Sequence, residues 1–185
     1  DGKILFGYTY PLEVIDYSKI IKTIGEEAFL KFISTADIVG FQNWTMIPGM
    51  TNVINGVVEN ILPRLAKGKT KRWFFDLADP QKRPLGDLQL ILGRLKCFES
   101  YGKVTLSLNR SEAEKVGEAL GLPFPKMEHK ALLNWLKSVQ KDIEIECIVL
   151  HYSTGSICIT QSENGFSESF KIEHPLCLTG SGDHF

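Results

Sequence analysis

The run Thr179-Gly180-Ser181-Gly182-Asp183 carries the most direct chemical promise in this chain. Its two glycines let backbone N–H groups approach a ligand with no Cβ in the way, and a carboxylate follows at once. If a helix begins there, its free N–H groups and positive dipole end favour a phosphate, and Asp183 can accept a proton from an attacking hydroxyl. A Gly-Ser-Gly turn with a solvated Asp cap uses the same letters, so the run alone leaves both readings open.

Asn109-Arg110-Ser111-Glu112 is the second candidate. Asn109 as N-cap with Glu112 at the third helical position makes an Asn version of the capping box. The same amide and carboxylate, at one strand end, can also hold Mg²⁺ against nucleotide phosphates, directly or through waters. The two roles are compatible. Asp76-Leu77-Ala78-Asp79-Pro80 leaves a buried strand, so Asp76 faces the same crevice as Asn109, although an Asp-Pro turn alone accounts for those residues. Gly155, in Tyr152-Ser153-Thr154-Gly155-Ser156, reads first as a hairpin glycine.

Several tempting patterns fail on inspection. Gly68-Lys69-Thr70 resembles the end of a P-loop, but Pro63 stands where the first glycine must be, and the triplet precedes a strand. Gly180-Ser181-Gly182 lacks the third glycine of a dinucleotide fingerprint. The basic run Lys67, Lys69, Lys71 and Arg72 reads as a solvated loop. Cys177 between His174 and His184 has no nucleophile-elbow pattern to make it a catalytic thiol.

These residues need a scaffold, and the periodicity describes one. Lys3 to Tyr8 and Asp37 to Phe41 read as strands, with one helical pattern over Ile20 to Phe32 between them. A helix from Thr51, shortened by Pro63, leads to the compact strand Arg72 to Asp76. Leu88, Ile91, Leu92, Leu95 and Phe98 form one helical stripe, Lys103 to Leu108 a strand, and Asn109 to Leu120 a helix stopped by Gly121 and Pro123. A helix carrying Leu132, Trp135, Leu136 and Val139 follows. Then come three strand-like runs, Ile145 to Leu150, Ser156 to Gln161 and Phe166 to Ile172, with turns at Ser-Thr-Gly and Glu-Asn-Gly. The expected fold class is α/β, a mainly parallel sheet flanked by helices with antiparallel strands at the C-terminal edge. Ligands of such sheets bind beyond the strands' carboxyl ends, here the joints Asn43 to Gly49, Asp76 to Pro84, Ser107 to Glu112 and Leu178 to Phe185.

Composition narrows the classes. With 185 residues and 43% hydrophobic content the chain can build one sizeable core, and a single α/β domain over 1–185 is expected. Lys and Arg number 21 against 22 Asp and Glu, so a net charge of -1 offers no field for nucleic acid or anionic lipid. Cys97, Cys147, Cys158 and Cys177 show no C-x-x-C pair and read as reduced thiols of a cytoplasmic protein, without a zinc site. No apolar run is long enough to span a bilayer. Because Asp1 opens the chain and Phe185 directly follows the richest motif, a fragment of a longer protein is expected.

Three stretches together resemble the C-terminal half of the ribokinase-like (PfkB) carbohydrate kinase family, in the family's own order, over residues 30 to 185. Asn109-Arg110-Ser111-Glu112 resembles its N-x-x-E element, which implies organising Mg²⁺ and the nucleotide phosphates. Gly180-Ser181-Gly182-Asp183 resembles its G-A-G-D signature, which implies Asp183 as catalytic base and Thr179 to Gly182 as phosphate-binding neighbours and anion hole. Asp76 to Pro80 resembles the segment bordering the phosphates, and Gly155 matches one glycine of a T-x-G-x-x-G element. Two departures stand out. Cys177 and Leu178 replace an Asp and a Thr, and that Asp serves the family's monovalent-cation site, so potassium activation is not implied. His151 to Gly155 otherwise departs from the glycine element, which leaves the donor nucleotide less determined than the chemistry.

The resemblance implies a three-layer, Rossmann-like scaffold and transfer of the γ-phosphate of ATP, with Mg²⁺, to a hydroxyl of a sugar or nucleoside. It implies no nucleic acid and no membrane, and a homodimer stays open. The alternative is a ligand-binding or regulatory module that keeps the scaffold without phosphate transfer.

Overall fold

The computed structural model describes residues 10–68 and 70–170. The expected strand Lys3 to Tyr8, the run 179–183 and Cys177 lie outside them. After a 3-10 turn at Tyr10–Leu12, the order is α1 (Tyr17–Ile24), α2 (Glu26–Thr35), β1 (Ile38–Phe41), α3 (Met50–Gly56), β2 (Arg72–Asp76) and α4 (Leu85–Phe98). Then follow β3 (Lys103–Asn109), α5 (Arg110–Leu120), α6 (His129–Ile143), β4 (Cys147–Tyr152), β5 (Gly155–Thr160) and β6 (Asn164–Glu168). The strands form one sheet in the order β1-β2-β3-β4-β5-β6. Strands β1 to β4 pair in parallel, and β5 and β6 add antiparallel at the far edge. The α/β class and the antiparallel C-terminal edge are as the sequence led us to expect.

Successive parallel strands always join on the same side, so right-handed crossovers carry their helices over one face of the sheet. Alternation along the strands agrees. Trp73 and Phe75, Val104, Leu106 and Leu108, and Ile148 and Leu150 are fully buried, together with the α4 stripe of Leu88, Ile91, Leu92, Leu95 and Phe98. Phe98 packs edge-on against Trp73, Phe75 and Phe41, with ring centroids 5.0 to 5.6 Å apart.

Three local readings change. The helical pattern over Ile20 to Phe32 breaks into α1 and α2 at Gly25, whose φ of 82° an L side chain rarely adopts. The helix expected from Thr51 starts at Met50, widens into a π-helical stretch at Val57–Ile61 and ends as a 3-10 turn at Leu62–Arg64, where Pro63 lies. The second hairpin turns at 161–163, before Asn164 and Gly165, which pair within β6. Cys97, Cys147 and Cys158 are free thiols.

Candidate active site at the carboxyl edge of the parallel strands

The parallel register brings the strand ends into one row. Asp76 on β2 is level with Ser107 on β3, and Asn109 on β3 is level with His151 on β4. Asn109, Glu112 and Asp76 therefore meet at one edge. Gly155 lies one strand further on, paired with Tyr152 across the β4–β5 turn. A Cβ there would stand 2.7 Å from the Ser167 carbonyl oxygen and 2.8 Å from the Phe166 ring, a packing reason for glycine.

Glu112 is the centre of this edge. Its Oε2 accepts the backbone N–H of Asn109 at 2.7 Å, and Asn109 Oδ1 accepts that of Glu112 at 3.0 Å, which completes the expected capping box. Its Oε1 accepts the N–H of Asp79 at 3.2 Å, a link from α5 to the loop after β2 that the sequence did not announce. The residue is 3% exposed. Among the described residues no lysine or arginine pairs with it. Burial pushes its carboxyl above the ordinary range, the two backbone N–H groups pull it down, and Asp76 and Asp79 push it up again.

The loop after β2 is strained to make that contact. Asp76 Oδ1 accepts the N–H of Ala78 at 3.0 Å, and Ala78 and Asp79 both take left-handed conformations, with φ of 53° and 63°. Gln81 donates to the Ser111 hydroxyl at 2.6 Å, a second tie to the start of α5. His151 is half-buried, and burial lowers its pKa while Asp76 raises it.

Asp76, Asp79 and Glu112 thus form a patch of negative charge whose nearest basic partner is Lys82, 3.0 Å from the outer oxygen of Asp79. Among the described residues no group of three His, Cys, Asp or Glu side chains could hold a metal ion, and both oxygens of Glu112 are already taken by backbone N–H groups.

The sequence matches known proteins of the PfkB-type carbohydrate kinases. The family described as prokaryotic ketohexokinase matches residues 1–185, and the chain belongs to that family. A relative from Haloferax volcanii described as "Ketohexokinase" is 22% identical over 190 residues, which cover 100% of this chain and 48% of the relative. The chain thus spans about half the length of the curated relative it matches.

Proposed function

We propose that this protein transfers the γ-phosphate of ATP to a hydroxyl of a sugar, and that the acceptor is a ketohexose. The family and the relative's description support the class of acceptor. The observation that carries the donor side is Glu112, a buried acid held by two backbone N–H groups beside Asp76 and Asp79, with no basic side chain to offset it.

In this reading Asp183 takes the proton of the attacking hydroxyl, and the N–H groups of Gly180, Ser181 and Gly182 receive the charge on the transferring group. Thr179 and Gly155 border the nucleotide. Asn109 and Glu112, by the resemblance, would hold Mg²⁺, and the ion when bound would offset phosphate charge. Asp76 would reinforce the negative field there, while the capping box fixes the Asn109 side-chain oxygen on the Glu112 N–H.

The test is product detection by mass spectrometry after incubating the full-length protein with Mg·ATP and pooled ketohexoses, aldohexoses, pentoses and nucleosides. A gain of one phosphate on a ketohexose, lost in Asp183→Asn while ATP still binds, is the expected result. Near-normal turnover in Asp183→Asn removes the base assignment. A ligand that raises Tm without any phosphorylated product selects the binding-module alternative, which Cys177, Leu178 and His151 favour by departing from the kinase pattern.

A further inference from the structure

Arg83 follows the loop after β2, yet its guanidinium works on the loop after β1. Nη2 donates to the carbonyl oxygens of Trp44 at 2.7 Å and Ile47 at 2.6 Å. Nε and Nη1 lie 3.4 Å from the Thr45 carbonyl and the Thr51 hydroxyl. The cation stands over the Trp44 ring, 4.5 Å from its centroid. That indole is 1% exposed and donates its own N–H to Thr51 Oγ1 at 2.9 Å. The backbone adds a tie in the other direction, from the Thr45 N–H to the Leu77 carbonyl at 3.0 Å. Asn43, with φ of 57°, turns the chain sharply away from β1.

The setting is unusual for an arginine. Among the described residues no carboxylate hydrogen-bonds it. Burial lowers its pKa, and Asp87 opposes that only through space. The guanidinium is held mainly by carbonyl oxygens, which its planar fork of donors reaches from fixed directions. The segment that carries Arg83 is also fixed on its other side, through Asp79 and Gln81, to the start of α5.

We propose that Arg83 is a positioning residue for the acceptor side of the crevice: it holds the loop 43–47 in one arrangement against the loop after β2, so that this wall stands before the sugar arrives. The inference rests on the kinase reading above. There, the described residues read as handling phosphate, Asn109 and Glu112, sit at the end of β3 and the start of α5. The end of β1 lies two strands from β3, roughly 10 Å at the usual strand spacing, and is left for the acceptor.

Steady-state kinetics of the full-length protein, with Arg83→Ala and Arg83→Lys, test it. The expected result in Arg83→Ala is a KM for the sugar raised about tenfold, the effect of losing one or two charged hydrogen bonds, with KM for Mg·ATP changed less than about twofold. Arg83→Lys recovers little of this, whereas millimolar guanidinium partly restores Arg83→Ala alone. The near-UV circular dichroism of Trp44 should weaken in both variants. An unchanged sugar KM in a folded Arg83→Ala overturns the proposal, as does a uniform loss in kcat and both KM values that follows Tm. Should Arg83→Ala fail to fold, Arg83→Lys carries the same comparison. If the wild type phosphorylates nothing, the kinase reading fails by itself. The fluorine resonance of Trp44 in fluorotryptophan-labelled protein, assigned apart from Trp73 and Trp135, then decides whether Arg83 holds the loop: a resonance unshifted in the variants ends the proposal.

Discussion

Two glutamates do the same backbone work at opposite ends of the sheet, in different electrostatic company. At the amino edge, Glu99 Oε1 accepts the N–H groups of Val104 and Glu146, at 3.0 and 2.5 Å, and so joins the starts of β3 and the segment before β4. Around it acids and bases are matched, with Lys103 3.4 Å from Glu146 and Lys96 2.9 Å from Glu144. At the carboxyl edge, Glu112 joins β3 to the loop after β2, but the acids beside it raise its pKa and no base answers it. On the function proposed above, the acid at the carboxyl edge faces a ligand.

The largest effect that separates the two ends should come from removing each glutamate. Glu112→Ala leaves two buried backbone N–H groups without acceptors and should cost about 2–6 kcal/mol in urea unfolding, at about 1–3 kcal/mol per orphaned donor. It should also weaken Mg·ATP binding. Glu99→Ala, at a half-exposed position where water can replace the lost acceptor, should cost about 1 kcal/mol and leave turnover near wild type. Equal damage to nucleotide binding from both would erase the distinction.

Glu112→Gln sharpens the point at smaller cost. One amide oxygen still accepts, but the NH₂ group meets a backbone donor, so a loss of about 1–2 kcal/mol is expected. Titration of the variant with Mg²⁺ should require more ion for half-maximal rate. An unchanged Mg²⁺ dependence would separate Glu112 from the metal.

His151 supplies a pH handle confined to the carboxyl edge. Burial holds its folded pKa below the ordinary 6.5, so its contribution to stability is complete above that value and is lost as pH falls through the folded value. The fall in Tm on acidification through that range should be shallower in His151→Asn. In Asp76→Asn, which removes the attraction that raises the histidine's pKa, the fall should move to lower pH.

The smallest expected change is a gain. Ala78 sits at φ of 53°, a conformation glycine takes freely, so Ala78→Gly should raise stability by about 0.5 kcal/mol after the entropy of glycine is set against the relieved strain. A lower Tm would show that the methyl group, not the backbone, matters there.

What the sequence disclosed follows from how local each signal is. Arg72 to Asp76 was legible because a dense aromatic run between turn residues has few alternatives, and it forms β2 without change. The Asn109–Glu112 capping box was legible because its partners lie three residues apart. Gly25 was overridden by apolar residues that continue the helical period on both sides, and the π-helical widening at Val57–Ile61 leaves no mark in that period. Arg83 was invisible for another reason. Its main partners are carbonyls 36 to 39 residues upstream, and a carbonyl has no letter in the sequence. The same holds for the Asp79 N–H on Glu112, which depends on a left-handed backbone at a residue read only as part of a turn.

The order of the described strands in space is their order along the chain. During synthesis each new strand can therefore join an edge that already stands, and none has to wait for a later one to be inserted beside it. Among the described strands β5 and β6 arrive through short turns and not crossovers, the kind of local contact that forms quickly. A ribosome that pauses between β3 and β4 would hold out an open parallel edge at Leu106 and Leu108, the interval in which this chain most needs protection from its neighbours.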